Sequence, residues 1–254
     1  MRNCGASILH VATMILALIG GAEAAVLPLS PVLPGIGPHD PRRVTDPHAV
    51  PWGGVARLQI PGISRCTAAL IGPRLALTAA HCLYGNRLGH FLPAESVHVL
   101  AGYANGAYAH HSVAVTLHIA PGYDPLHPGA TRAADFALVT LAQPLVTQDE
   151  ALELDPRPVR SGDVLMLGGY SQDRAEILTA DTACHAIGHM NLPGGLTLLR
   201  HDCAGTRGTS GAPVLARGAD GHWMIAGLEV AARAGQAEGL AVPADALLAF
   251  IAPH

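Results

Sequence analysis

From Val44 onward the sequence consists of short β-type runs separated by turns rich in Gly, Pro and Asn. Runs of about four to eight residues with branched apolar side chains are typical of β-strands, and such turn residues mark their ends. Little helical periodicity is present. The pattern therefore favours an all-β fold.

The predicted strands form two groups of six on either side of a polar, Pro-containing stretch, residues 143–158. The first group is predicted at 55–60, 67–71, 74–78, 97–101, 112–119 and 136–141. The second is predicted at 164–169, 175–180, 197–201, 212–216, 222–229 and 240–242. One helix is predicted at 244–251, after Pro243. We expect two antiparallel six-stranded β-barrels, 44–142 and 159–254, and a short C-terminal helix.

The N-terminus has the layout of an export signal. Arg2 precedes an apolar stretch from Ile8 to Ile19, and Ala22-Glu23-Ala24 is a small-x-small cleavage site. We expect residues 1–24 to be a signal peptide and the protein to be secreted or periplasmic. The alternative is an uncleaved anchor, but the apolar stretch is short for a bilayer span of about 20 residues. No stable membrane association is expected after cleavage.

Residues 25–43 are rich in proline and end in Arg42-Arg43. Such a segment cannot donate a regular ladder of backbone hydrogen bonds. Two interpretations stay open: a propeptide processed after Arg43, or an ordered arm on the surface.

Signal cleavage removes Cys4 and leaves four cysteines in an oxidising compartment. Four cysteines allow three pairings, and we choose the two that are near in sequence, Cys66 with Cys82 and Cys184 with Cys203. Each would close a loop of about 15 to 20 residues, which in the chain-entropy model contributes about 3 kcal/mol.

Charge excludes some classes of partner. Only 13 % of residues are charged, the formal net charge is −4, and no run of basic residues occurs. Neither nucleic acid nor an anionic membrane is indicated.

A metal site is an alternative for part of the chain, because the sequence contains 15 histidines. Cys184-His185, His189 and the run from His201 to Cys203 are ligand types for zinc. Cysteines of an exported protein more often pair with each other, so we expect no metal and no cofactor.

Three short motifs carry the chemistry, in the order His, Asp, Ser. They are Thr78-Ala79-Ala80-His81-Cys82, Asp135-Phe136-Ala137-Leu138 and Gly208-Thr209-Ser210-Gly211-Ala212-Pro213. A serine attacks a carbonyl when a base such as His81 takes its proton, and a carboxylate such as Asp135 orients that base. Small residues around Ser210 allow the N–H groups of Gly208 and Ser210 to face a developing oxyanion.

Together these motifs resemble the trypsin-like (chymotrypsin-fold) serine proteases. Within that superfamily the chain is most similar to bacterial secreted proteases related to the glutamyl endopeptidases. The further matches are Arg43-Val44-Thr45, Cys66-Thr67, Ile71-Gly72-Pro73 and His81-Cys82-Leu83-Tyr84.

The resemblance implies a monomeric secreted endopeptidase that acts on proteins or peptides through an acyl-enzyme. Its active site is expected between the barrels, with His81 as base, Asp135 as orienting acid and Ser210 as nucleophile. The alternative is a catalytically inactive homologue that serves as a secreted binding protein, because a fold can persist without catalysis.

The sequence departs from the family pattern at four positions. Thr209 stands where trypsin-type zymogens have an aspartate that pairs with the new amino terminus. Ala204 and Gly205 stand at the floor of the specificity pocket, without the trypsin aspartate or the hydroxyl residue of the glutamate-specific relatives. Glu229 replaces their histidine. We expect that carboxylate to repel acidic side chains, so cleavage after Glu is not the expected main activity. A basic or a small apolar preference stays open.

Overall fold

The computed structural model describes Met1 and residues 33–252. The predicted signal peptide, Cys4 and the first part of the Pro-rich segment lie outside the described residues. Within the described ranges, no helix is long and apolar enough to cross a bilayer.

The first half of the chain closes six antiparallel strands into a barrel. These strands are β1 (Val55–Ile60), β2 (Ser64–Gly72), β3 (Leu75–Thr78), β4 (His98–Ala101), β5 (His110–Ile119) and β6 (Ala137–Leu141). They neighbour one another in the order β1-β2-β3-β6-β5-β4, and β4 pairs with β1 to close the ring. Along β6 the buried residues Ala137, Val139 and Leu141 alternate with partly exposed ones, as expected for a strand with one face in a core.

The second half closes six further strands in the same way. These are β7 (Val164–Gly169), β8 (Thr179–Asn191), β9 (Thr197–His201), β10 (Pro213–Arg217), β11 (Trp223–Ala232) and β12 (Gly239–Pro243). Their order is β8-β7-β10-β11-β12-β9, and β9 pairs with β8. The helix α1 (Ala244–Ile251) follows and contacts β11 and β12. The prediction of two antiparallel barrels and one short C-terminal helix is confirmed.

One predicted strand was wrong in position. The prediction placed it at 175–180, but residues 175–178 follow a 3-10 turn, Gln172–Arg174, and the strand β8 runs on to Asn191. In β8 buried Cys184 and Ala186 alternate with exposed His185 and Ile187. A strand with one solvated face has no continuous apolar run. The search for apolar runs therefore missed most of β8.

Three short strands were not predicted. The pair Arg43–Val44 adds to β8 at Ala180 and Thr179. The two-residue strands Tyr84–Gly85 and His90–Phe91 form a small hairpin beyond β3. The other predicted strands agree with the structure apart from shifts at their ends.

Both predicted disulfides are present. Cys66 on β2 pairs with Cys82, and Cys184 on β8 pairs with Cys203, with sequence separations of 16 and 19 residues. Each bridge therefore lies within one barrel. The first ties the 3-10 turn Ala80–Leu83 to β2.

The described part of the Pro-rich segment lies against the second barrel. Gly35 N–H donates to the carbonyl of Arg233 (2.7 Å), and Gly205 N–H donates to the carbonyl of Gly35 (3.3 Å). Arg42 is buried and forms ion pairs with Asp40 (2.9 Å) and Asp173 (2.7 Å). The hydrogen bonds from Arg42 hold the pKa of Asp40 below its ordinary value. Cleavage after Arg43 would require these contacts to open.

The two barrels meet at Gly211. Its φ is +82°, and a Cβ there would lie 2.2 Å from the carbonyl oxygen of Thr67 and 2.4 Å from Oγ1 of Thr78. Only glycine combines this backbone conformation with so close an approach of neighbouring chain.

We predict that Gly211→Ala destabilises the fold much more than Gly122→Ala. Gly122 has a similar φ of +87° but open space around it, so alanine there adds only a backbone strain of about 1–2 kcal/mol. At Gly211 the methyl group must also displace backbone, which adds roughly 1–3 kcal/mol. Urea unfolding of both variants measures the difference; equal losses would contradict the close packing at Gly211.

Candidate active site

His81 and Asp135 are brought together by neighbouring strands. β3 pairs with β6 through Thr78 and Ala137, so the residues that follow β3 lie beside those that precede β6. Nδ1 of His81 is 2.7 Å from Oδ2 of Asp135, and the backbone N–H of His81 donates to Oδ1 over 2.8 Å. Both carboxylate oxygens of the buried Asp135 thus bind His81.

This geometry fixes the role of each imidazole nitrogen. An ionised carboxylate accepts from Nδ1–H, which leaves Nε2 as the acceptor nitrogen. The side chain of His81 is 35 % exposed, whereas that of Asp135 is 5 % exposed. The base can therefore reach a substrate while its partner is shielded from water.

Ser210 lies in a tight turn before β10. Gly208 has a φ of +94°, and a Cβ there would lie 2.4 Å from the carbonyl oxygen of Tyr170. The carbonyls of Gly208 and Ser210 both accept hydrogen bonds from Thr67, each over 2.9 Å. Among the described residues, no acceptor bonds the N–H of Gly208 or of Ser210. The N–H groups of Gly208 and of Ser210 itself are thus free to donate.

Ser210 and His81 line one cavity of about 720 Å³. Within the described chain no hydrogen bond joins the imidazole of His81 to Oγ of Ser210. In free enzymes such bonds are often long and tighten when substrate binds. The structure therefore brings the predicted base and nucleophile to the same cavity without a direct bond between them.

Thr67 connects the serine turn to the histidine. Besides the bond to Gly208, its hydroxyl accepts from the N–H of Tyr170 over 3.0 Å. Its backbone carbonyl accepts from Oγ1 of Thr78 over 2.8 Å, three residues before His81. The residue is fully buried. Thr67 thus holds the serine turn through its hydroxyl and the strand end before His81 through its backbone carbonyl.

Thr209 is held by a neutral contact. It is buried, and its Oγ1 is 3.0 Å from Oγ of Ser171, which is also buried. No charge at position 209 requires compensation, so the turn needs no cationic amino terminus beside it.

The predicted pocket residues Ala204 and Gly205 are both engaged by backbone hydrogen bonds. Ala204 N–H donates to Oδ2 of the buried Asp181 over 2.9 Å. Gly205 N–H donates to Gly35, and a Cβ at Gly35 would lie 1.9 Å from the carbonyl oxygen of Gly205 and 2.7 Å from Cβ of Ala232. The described part of the Pro-rich segment therefore packs directly against Gly205.

Glu229 does not present the free carboxylate that we expected from the sequence. It is buried, and its Oε2 is 2.7 Å from Nε2 of the fully buried His201. Burial raises the pKa of Glu229, while the bond to His201 opposes that rise. A Cβ at Gly239 would lie 2.2 Å from the His201 ring, so glycine at 239 makes room for the pair. The carboxylate of Glu229 is therefore engaged by His201 and is not free to face a substrate side chain.

Glu229 also supports the serine turn through its backbone. Its carbonyl accepts from Gly211 N–H over 2.7 Å, and its N–H donates to the carbonyl of Ala212 over 2.9 Å. Glu229 therefore stabilises the serine turn through its backbone and contacts His201 through its side chain. None of Ala204, Gly205 and Glu229 lines the cavity that contains His81 and Ser210.

Sequence reasoning missed Thr67, Asp181 and His201 as members of the site. Thr67 and Asp181 act on residues far away in the sequence, and although Cys66-Thr67 matches the family pattern, no local feature assigns either side chain a role in the site. His201 did carry a signal, because a histidine that ends the apolar run of β9 is buried at a cost unless it finds a partner.

The described residues contain one group with metal-ligand character, formed by Cys66, His81 and Cys82. Its two sulfurs are joined in a disulfide, so they are not thiolates. The zinc site considered from the sequence also lacks thiolate ligands, because Cys184 and Cys203 are bonded to each other.

Comparison with known proteins gives consistent matches. A family model described as "Trypsin-like peptidase domain" matches residues 66–223. Glutamyl endopeptidase of Bacillus licheniformis is 31 % identical over 110 residues, which are 43 % of this chain and 33 % of that protein. The matched region thus spans about a third of that relative.

Two solved structures share the fold. One, of a Glu endopeptidase in complex with MPD, has a TM-score of 0.67 and 17 % identity and covers 85 % of this chain and 96 % of that one. The other, of Rv3671c protease in its inactive form, has a TM-score of 0.55 and 20 % identity and covers 79 % and 90 %. The resemblance predicted from the motifs is confirmed.

We predict that Thr67→Val weakens both stability and turnover. Valine leaves the Gly208 carbonyl and the Tyr170 N–H without a partner, at about 1–3 kcal/mol for each buried group. The matched control is Thr67→Ser, which keeps the hydroxyl and loses one methyl group, at roughly 1 kcal/mol. Denaturant unfolding and steady-state hydrolysis measure the two effects. Equal behaviour of the two variants would show that the hydroxyl does not position the serine turn.

Proposed function

This chain belongs to the trypsin-like peptidase family, and on that premise we propose that it is a serine endopeptidase that acts through Ser210, His81 and Asp135. The observation that carries the proposal is the 2.7 Å contact between His81 and Asp135 beside a serine whose turn keeps two N–H groups free. The substrates are proteins or peptides.

The proposed reaction begins when Oγ of Ser210 attacks the scissile carbonyl carbon and Nε2 of His81 takes the hydroxyl proton. The carbonyl oxygen becomes an oxyanion, which the N–H groups of Gly208 and Ser210 bind. Asp135 stabilises the imidazolium. The tetrahedral intermediate then expels the amine, which receives the proton from His81, and an ester to Ser210 remains.

Hydrolysis of this acyl-enzyme repeats the sequence with water. His81 removes a proton from water as its oxygen attacks the ester carbonyl carbon, and it returns the proton to Oγ of Ser210 as the acid leaves. Each oxyanion donor typically contributes on the order of 100-fold to the rate. The N–H groups of Gly208 and Ser210 support oxyanion binding because no acceptor among residues 33–252 competes for them.

The proposal includes export and signal cleavage after Ala24. The two disulfides support an oxidising compartment. Processing after Arg43 stays a prediction, and sequencing the N-terminus of the secreted protein tests it.

For the acyl side of the substrate we propose a small apolar residue. The positions that the resemblance assigns to the pocket are Ala204 and Gly205, and the carboxylate of Glu229 is already bonded to His201. No free charge from these residues is therefore available to a Glu, Lys or Arg side chain. Gly35 also packs closely against Gly205.

We predict that profiling with a proteome-derived peptide library finds mainly Ala, Val or similar residues before the cut. Burial makes the Glu229–His201 pair a poor partner for a charged side chain, because the side chain would have to be desolvated without a free counter-charge. A profile dominated by Glu, Lys or Arg at that position would contradict the proposed pocket.

Substitution of the triad tests the mechanism. Ser210→Ala should reduce kcat by about 10⁶-fold and Asp135→Asn by about 10⁴-fold, since the latter removes the acceptor that fixes the tautomer of His81. The control Ser161→Ala removes an exposed hydroxyl far in sequence from the site and should keep wild-type turnover. Folded Ser210→Ala with undiminished hydrolysis would refute the assignment, and absence of hydrolysis in the wild type would favour a binding protein.

A further inference from the structure

The cavity at Ser210 carries a group of arginines that the proposed chemistry does not use. Arg65, Arg87 and Arg207 line it together with His81 and Ser210, and all three are exposed. Arg207 directly precedes the oxyanion glycine, Gly208. The three come from separate parts of the chain, so only the fold brings them together.

Within the described chain none of the three forms an ion pair, although Arg65 interacts electrostatically with Glu176, whose ion pair is with Arg57. No Asp or Glu is among the residues that line the cavity. The ion pairs of the described chain use other arginines, such as Arg42, Arg57 and Arg157. The whole chain has a formal net charge of −4, so the positive cavity is a local feature and not a reflection of overall charge.

The cavity lies on the leaving-group side of the serine. His81 must give its proton to the departing amine, so that amine lies beside the imidazole. From His81 the cavity extends along the Cys66–Cys82 disulfide to residues 85–88. The predicted pocket positions Ala204, Gly205 and Glu229 do not line it, so it is distinct from the pocket proposed for the acyl side.

We propose that this arginine-lined cavity binds acidic residues that follow the scissile bond. The substrate class is then peptides with Asp or Glu at the first two or three positions after the cut. The inference rests on the proposed peptidase function and specifies the charge that the enzyme prefers in the leaving peptide. Guanidinium groups suit carboxylates because they donate in a planar fork.

The expected size of the preference follows from exposed ion pairs. One such pair changes binding by roughly two- to fivefold, so three arginines together should favour acidic over neutral peptides by about tenfold. Salt screens exposed charges, since the Debye length falls from about 10 Å at 0.1 M to about 3 Å at 1 M. The preference should therefore decline as salt rises.

The test compares peptides that are identical before the bond and carry either Asp-Glu or Asn-Gln after it. We expect a ratio of kcat/KM near ten in dilute buffer, approaching one at about 1 M salt. In the triple variant Arg65→Gln, Arg87→Gln, Arg207→Gln the ratio should approach one in dilute buffer as well. Arg207→Glu, which leaves Arg65 and Arg87 in place, should lower the ratio below the wild-type value in dilute buffer.

Arg160→Gln is the matched control. Arg160 is exposed and lines a different cavity, so this variant loses the same charge and should keep the wild-type ratio. A ratio of one in the wild type, or a ratio that survives the triple substitution, would overturn the inference and leave the peptidase function intact. If neither peptide nor any library peptide were cut, the proposed function would fail and the inference with it.

Discussion

The hydrogen bonds of Thr67 are the contact on which the proposed site depends. Its backbone and hydroxyl hold the carbonyls of Ser210 and Gly208, which belong to the second barrel, while its own carbonyl holds Thr78 at the end of β3. Serine and histidine come from separate barrels, so their relative position is set by the junction and not by either barrel alone. Catalysis tolerates displacements of well under an ångström at such sites, which explains why the junction is buried and tightly packed at Gly211.

Charge is distributed unequally around the nucleophile. On the proposed acyl side, Glu229 is paired with His201, and Thr209 is held by Ser171 without any charge. On the proposed leaving-group side, three exposed arginines line the cavity without a carboxylate among its lining residues. Buried polar groups are neutral or paired because an unpaired buried charge is expensive, whereas exposed charges remain available to a ligand. We therefore propose that charge selectivity depends more on the residues after the scissile bond than on the residue before it.

Local patterns predicted most of the fold but little of the support for the site. The ranges 55–60, 164–169, 197–201 and 244–251 agree with the structure because strand and helix periodicity is a local property. The strand at 179–191 was misplaced because its solvated face breaks the apolar run. His81, Asp135 and Ser210 were recognisable from motifs, whereas the partners Thr67 and His201 depend on contacts between residues distant in sequence. The burial of Glu229 could be seen only in three dimensions.

The central claim is that Ser210 is a nucleophile activated by His81 and Asp135. The most direct measurement is reaction with an organophosphonate followed by intact-mass analysis and peptide mapping, because the reagent needs an activated hydroxyl and an oxyanion site but no knowledge of the substrate. We expect a single adduct on the peptide that contains Ser210, absent in Ser210→Ala and much slower to form in Asp135→Asn. A correctly folded protein that forms no adduct, or one that is labelled on another serine, would contradict the claim.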